Sequence, residues 1–233
     1  EFQVNTFTDS DQRYSSATAL SDGGFVVTWT SDGQDGSGYG IYGQRFDSVG
    51  AVVGDEFQVN TFTDSIQYKS STTALNDGGF VVTWTSVYQD GSSGPGIYGQ
   101  RFDSEGVTVG AEFQVNNTTW HSQFQSSTTA LNDGGFVVTW TSEESGYDIY
   151  GQRYDSAGAA VGAEFQVNTF SALSQTTPST TALNDGGFVV TWTSEEGGYD
   201  IYGQRYDSAG AAVGAEFQVS TTNGSDSSAT ALR

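Results

Sequence analysis

One nine-residue run, Gly-Gly-Phe-Val-Val-Thr-Trp-Thr-Ser, occurs four times without a change, at 23–31, 78–86, 134–142 and 186–194. Its tryptophans, Trp29, Trp84, Trp140 and Trp192, stand 55, 56 and 52 residues apart. A chain with this period is a tandem array. Each repeat is one supersecondary unit, and it buries its apolar surface only by stacking on its neighbours.

The unit reads as strands. Phe25, Val27 and Trp29 alternate with Val26, Thr28 and Thr30. Both sets are apolar or β-branched, which predicts a strand covered on its two faces. A short strand ending in Thr-Ala-Leu precedes it, closing at Leu20, Leu75, Leu131 and Leu183, with a fifth copy at Leu232. Between the two lies Asn-Asp-Gly-Gly, with Ser21 for Asn in the first copy, a sequence suited to a tight hairpin with positive φ. A third strand, Ile-Tyr-Gly-Gln-Arg, starts at Ile41, Ile97, Ile149 and Ile201. It ends in turns headed by Asp47, Asp103, Asp155 and Asp207, where aspartate caps backbone N–H groups. A small apolar link then leads into Glu-Phe-Gln-Val-Asn, whose alternation marks a strand with one buried face.

Four short strands joined by tight turns make a meander the size of a propeller blade. The expected fold is all-β: tandem four-stranded antiparallel meanders packed as β-propeller-like blades, with a linear stack of the same meanders as the alternative. Residues 1–233 are read as one repeat domain, with repeats at about 15–61, 70–116, 126–168 and 179–220. The aromatic content of 14% is too high for a disordered chain. Glu-Phe-Gln-Val occurs five times, at Glu1, Glu56, Glu112, Glu164 and Glu216, against four tryptophan strands. Residues 1–20 and 216–232 therefore form a duplicated strand pair. Three explanations fit: a cut from a longer array, a cap, or strands that complete a neighbouring molecule's sheet and build a polymer.

The formal charge is −21, from 28 acidic and 7 basic residues. Such a polyanion repels nucleic acid and anionic membrane surfaces and attracts cations. There is no cysteine, hence no disulfide and no thiolate chemistry. The apolar runs are too short to insert in a bilayer. With no initiator Met and a start inside a repeat, the chain is expected to be a mature fragment or part of something larger.

Between the second and third strands lies an acidic loop. In the first repeat Asp32 and Asp35 alternate with glycines, and Asp90 stands in the second. Glu143, Glu144 and Asp148, then Glu195, Glu196 and Asp200, follow in the shortened loops of the third and fourth. Oxygen donors on a glycine-rich loop suit calcium; a solvated polar hairpin explains the same residues. Tyr39, Tyr147 and Tyr199 flank these loops, either stacking on sugar rings or packing between blades. Arg45, Arg101, Arg153 and Arg205 recur in the third strand. Each is expected to pair with a carboxylate of its repeat, such as the Glu-Phe-Gln-Val-Asn glutamate, with ligand recognition by the arginine row as the alternative. The tryptophans and these arginines are assigned structural roles. His121 and the extra Trp120 fall in a variable segment, and a lone histidine makes neither a triad nor a zinc site. Sequons stand at Asn116, Asn117 and Asn223.

The run DGGFVVTWTS…DGSGYGIYGQRFDSVG…VGDEFQVN resembles a repeat of very large secreted or surface-attached bacterial proteins, the RTX-like (hemolysin-type) calcium-binding proteins and adhesins. The resemblance covers essentially the whole chain. It implies an extracellular or cell-surface location, calcium binding, and a structural or adhesive role. The RTX nonapeptide itself is absent, so calcium rests on this association and on the acidic loops. The expectation is an extracellular structural or adhesive protein, calcium-stabilised and polymerising end to end, with itself or further repeats as partner. The alternative is a multivalent carbohydrate-binding module with glycans as partners. Carboxylates that recur in every repeat argue against an enzyme, because a catalytic pair normally occurs once.

Overall fold

The computed structural model describes residues 1–220 apart from Ser93, Ser145 and Gly197. The fifth Thr-Ala-Leu copy, the sequon at Asn223 and most of the duplicated C-terminal strand pair lie outside the described residues. Among the described residues there are sixteen strands and no helix, so none is long and apolar enough to cross a membrane.

The chain divides into two compact units, Glu1–Val115 and Asn116–Arg233. The first holds two four-stranded antiparallel sheets. One comprises β1 (Gln12–Ala19), β2 (Phe25–Asp32), β3 (Tyr39–Phe46) and β4 (Val52–Gln58); the other β5 (Gln67–Ala74), β6 (Phe80–Val87), β7 (Pro95–Phe102) and β8 (Thr108–Gln114). The second unit repeats the plan with β9 (Gln123–Ala130), β10 (Phe136–Ser142), β11 (Asp148–Tyr154) and β12 (Ala160–Gln166), then β13 (Gln175–Ala182), β14 (Phe188–Ser194), β15 (Asp200–Tyr206) and β16 (Ala212–Gln218). Every sheet takes its strands in chain order, which is the meander expected of propeller-like blades. Blades 1 to 4 are named accordingly.

Within a unit the two blades pack face to face. In the first, Leu20, Val26 and Ile41 of blade 1 and Val59 beyond it meet Phe80, Val82, Trp84 and Phe102 of blade 2. In the second, Leu131, Val137, Ile149 and Val167 meet Phe188, Val190, Trp192 and Tyr206. Trp84, Trp140 and Trp192 are 0% exposed and Trp29 is 3% exposed. The threonines on the other side of the tryptophan strand are buried too, and two of them pair with threonines across the blades. Thr28 Oγ1 lies 2.6 Å from Thr72 Oγ1, and Thr139 Oγ1 lies 2.6 Å from Thr180 Oγ1. A buried hydroxyl left unpaired costs about 1–3 kcal/mol, so these pairs explain why threonine serves in a doubly covered strand.

The phenylalanine of each later Glu-Phe-Gln-Val copy lies across the glycine of its neighbour strand. A Cβ on Gly43 would stand 2.7 Å from the Phe57 ring, and one on Gly151 2.8 Å from the Phe165 ring. The same rings reach the next blade, with centroids 5.5 Å apart for Phe57 and Phe102 and 5.4 Å for Phe165 and Tyr206. The first copy, at the start of the chain, forms no strand. It nevertheless sits on blade 1 as its later copies sit on their blades: Phe2 and Phe46 are 5.4 Å apart, and Thr6 N donates to Glu56 Oε2 at 2.6 Å.

Candidate functional site

An antiparallel meander separates its connections to two ends. At one end lie the β1–β2 and β3–β4 hairpins and their equivalents. At the other lie the acidic loops and the variable segments that lead from one blade to the next.

The hairpin end is framework. The glycine at its tight turn has positive φ in every repeat, for example 87° at Gly23 and 89° at Gly186. Asp22, Asp77, Asp133 and Asp185 each accept an N–H from the glycine two residues on, at 2.8 to 3.0 Å. Those four aspartates, and not the glutamates of Glu-Phe-Gln-Val-Asn, are the partners of Arg45, Arg101, Arg153 and Arg205. The distances are 3.5, 3.2 and 3.2 Å for the first three, and Arg205 meets Asp185 in the same way. Antiparallel register explains the choice: Val26 faces Arg45 across β2 and β3, which places the guanidinium beside the turn that precedes β2. Arg153 also donates to the carbonyls of Ser208 and Ala209, at 3.0 and 2.5 Å, tying blade 3 to the hairpin of blade 4. Asp47 and its equivalents cap their turns, as in Val49 N to Asp47 Oδ1 at 3.0 Å.

The loop end is built differently. The asparagine of Glu-Phe-Gln-Val-Asn pins the crossing between blades. Asn60 Oδ1 accepts Ile41 N at 2.6 Å while its Nδ2 donates to Phe62 O at 2.8 Å, and Asn168 does the same with Ile149 and Phe170. At Ser220 the hydroxyl takes the Ile201 N–H at 2.9 Å. The glutamate of the motif accepts the first N–H of the outgoing segment, from Thr61 to Glu112 at 2.6 Å and from Asn117 to Glu164 at 2.8 Å. What faces that glutamate from the acidic loop differs by unit. In blade 1 it is an amide: Gln34 Nε2 donates to Glu56 Oε1 at 2.5 Å, and Gln89 does so to Glu112. In blades 3 and 4 the loop presents Glu144 and Glu196, which hydrogen-bond Tyr150 and Tyr202. Burial pushes the Glu164 carboxyl up; the Asn117 N–H pulls it down, and the Glu144 charge adds to the rise. Burial, then the charges of Asp35 and Glu56, raises the Tyr42 hydroxyl to about 12.

A third feature recurs opposite every tryptophan. Two residues of the inner strand face one of its partner, between Arg13 and Ser16, Tyr68 and Ser71, Phe124 and Ser127, and Thr176 and Ser179. The first residue of each bulge is non-glycine with positive φ: Tyr14 at 55°, Lys69 at 55°, Gln125 at 59° and Thr177 at 53°. Pro178, which lacks an N–H, occupies the second position in blade 4, a site where proline is tolerated. Bulges re-aim side chains. In the first unit Tyr14, the bulge residue of blade 1, lines a cleft of about 280 Å³ together with Arg13, Thr30, Tyr39, Ile66, Tyr68 and Val87. The Arg13 guanidinium lies 4.8 Å from the Tyr39 ring centroid, and the Lys69 ammonium 5.5 Å from that of Tyr14.

Of the residues singled out in the sequence, Tyr39 lines this cleft, Tyr147 packs its edge on Phe124 at 5.9 Å, and Tyr199 is exposed. Several acidic-loop oxygens have protein partners, while Asp35 Oδ2 is buried without one. Asp32 accepts from Ser10 Oγ at 2.7 Å, Asp35 and Asp90 cap Ser37 N and Ser92 N at 3.0 and 2.9 Å, and Glu143 accepts from Tyr147 at 3.4 Å. Asp148, 1% exposed, accepts from Asn168 at 2.7 Å. Glu195 N bonds Ser174 O at 2.9 Å, and Asp200 opens β15. Among the described residues no group of three or more acidic or histidine side chains is arranged to hold a metal ion. Trp120 is 84% exposed. Sequence reasoning missed Arg13, Tyr14, Tyr68 and Lys69. Their residue types share nothing, and the register of the bulge alone brings them together.

No protein-family model and no curated protein sequence matches the chain. Solved structures do. An α-L-arabinofuranosidase of Fusarium graminearum in complex with arabinobiose superposes with TM-score 0.63 at 11% identity, over 94% of this chain and 69% of its own. An α-L-arabinanase of Penicillium chrysogenum with arabinobiose gives 0.62 at 12%, over 89% and 66%. A sialidase of Streptococcus pneumoniae gives 0.63 at 9%, over 92% and 52%. The chain thus spans about half to two thirds of the length of these structures. At such identities the likeness is one of fold: the all-β, propeller-like architecture of glycosidases.

These neighbours overturn several expectations. The resemblance to RTX-like adhesins is not upheld, and with it falls the reading of a calcium-stabilised, polymerising structural or adhesive protein. The shared run consists of turn glycines and strand formers that any four-stranded meander needs. The exclusion of enzymes fails as well, because the fold is one that glycoside hydrolases use. That exclusion treated the repeats as chemically equivalent, whereas an amide faces the motif glutamate in the first unit and a carboxylate does in the second.

Proposed function

We propose that this chain is a carbohydrate-active propeller domain that binds glycans at the loop end of its blades. The observation that carries the reading is the cleft between blades 1 and 2, where three tyrosines, Tyr14, Tyr39 and Tyr68, line one opening. Aromatic faces stack on the apolar faces of sugar rings, and a tyrosine adds a hydroxyl at its rim. The exposed indole of Trp120 is a second platform, in the other unit. Two of the solved neighbours hold arabinobiose and a third is a sialidase, which supports the reading at the level of fold. An extracellular or surface site of action, where polymeric glycans are met, belongs to the proposal.

Titration of the full chain with a panel of soluble oligosaccharides, followed by calorimetry, tests it. Y39A and W120A should each weaken binding roughly fivefold while thermal melting is unchanged, the size expected for an aromatic contact of about 1 kcal/mol. Absence of binding across neutral and acidic sugars would sink the reading.

Glycoside cleavage is the second reading, and a specific observation favours it. Glu144 is exposed and Glu164 half-buried with a raised carboxyl. Two carboxyls with unlike environments are the pattern of a general acid and its partner. Release of reducing sugar from arabinan or a sialoside, lost in E164Q, is the expected result. No release by the native chain would leave binding alone.

A further inference from the structure

Building on the glycan-binding reading, we infer that the cleft between blades 1 and 2 selects a sugar bearing a carboxylate, with Arg13 and Lys69 holding its charge. The described residues include six lysine and arginine side chains. Four of them, Arg45, Arg101, Arg153 and Arg205, are tied to turn aspartates at the hairpin end. The remaining two come from different blades and approach one opening. Arg13 is in its wall, and Lys69 follows the wall residue Tyr68 and reaches over Tyr14.

The fold does not require either cation. The positions equivalent to Arg13 hold Tyr68, Phe124 and Thr176, and those equivalent to Lys69 hold Tyr14, Gln125 and Thr177. The same bulge forms in all four blades, so the two charges are additions to a frame that is complete without them. They also stand in a chain of net charge −21, which repels anions in general. An anionic group is held only where cations are placed for it, and this cleft is such a place.

Each cation has capacity to spare. Arg13 spends one arm of its guanidinium on Asp11, at 2.5 Å, and the fork carries five donors. Lys69 uses its backbone N–H on Thr30 Oγ1 at 3.1 Å, which fixes the start of the side chain, while its ammonium offers three donors. With tyrosine rings taking the sugar face and the cations taking one carboxylate, the ligand class is an acidic monosaccharide unit within a glycan. Hexuronates and nonulosonates share that chemistry.

The test uses the full chain and four probes: oligogalacturonate, its methyl ester, sialyllactose and lactose. At least one acidic probe should bind roughly tenfold tighter than its neutral counterpart, the size of a charge-assisted hydrogen bond. Which acid wins distinguishes the uronate from the nonulosonate. R13M and K69M should each bring the affinity for the acidic probe down to that for its neutral counterpart, with circular dichroism confirming the fold. Equal affinity for acid and neutral forms, both weakened by Y39A, overturns this inference and leaves the glycan reading standing. Binding of none of the four overturns both.

Discussion

The two ends of each blade are the same strands seen from opposite sides, yet they obey different rules. At the hairpin end the repeats are nearly interchangeable: glycine at positive φ, aspartate capping the turn, arginine clamped to that aspartate. Each backbone donor meets a side chain fixed in type. At the loop end the backbone is held by a few constant groups, such as Asn60 and Asn168, and the rest changes from blade to blade. The recurring hydrogen bonds are concentrated where the four repeats share one sequence, which leaves the other end free to carry recognition.

The comparison breaks most visibly at Arg153. R153A removes the donors from Asp133, Ser208 O and Ala209 O. It should cost about 2–3 kcal/mol in urea denaturation, since partly buried acceptors are left without partners. The same truncation at Arg205, whose side chain is 42% exposed, should cost under about 1 kcal/mol. Equal losses would show that the clamp between blades contributes nothing. At the loop end, N168A orphans the Ile149 N–H and should cost about 1–2 kcal/mol. N168S should restore part of it, because Ser220 already serves Ile201 in this way.

Smaller effects sharpen the contrast. Thr177 is β-branched at φ 53°, a conformation that asparagine tolerates better. T177N should raise stability by about 0.5–1 kcal/mol, and a loss would mean that its contact with Thr193 Oγ1, at 3.0 Å, outweighs the strain. Smallest is E144Q, which gives blade 3 the amide of blades 1 and 2. The Glu164 carboxyl is raised in the fold, first by burial and then by Glu144. Its contribution is therefore fully present below the ordinary glutamate range and is lost as pH rises through the elevated value. E144Q should gain a few tenths of a kcal/mol at pH 7 and nothing near pH 4. A gain of equal size at both would mean that the Glu144 charge is not its cause.

Much of the fold was legible. The identical run gave the period, alternation gave the strands, and Asn-Asp-Gly-Gly gave the hairpins. The arginine partners were misassigned, although the meander itself places Arg45 beside Asp22 and Glu56 at the opposite end. The cleft was not legible. Tyr14, Lys69, Gln125 and Thr177 share a backbone conformation and no chemistry, so no residue pattern marks them; Pro178 is the one hint. Function was misread because turn glycines and strand formers report a meander, not the work it does.

The bulge opposite each tryptophan has a consequence for how such a chain changes over time. The distortion is imposed by the strands around it, and tyrosine, lysine, glutamine and threonine all accept it. A duplicated repeat thus inherits a ready-made slot whose occupant can be rewritten by one codon without disturbing hydrogen-bond pairing. New binding preferences can arise by single letters in a fixed grammar, and they need no insertion, no new loop and no loss of the parent fold.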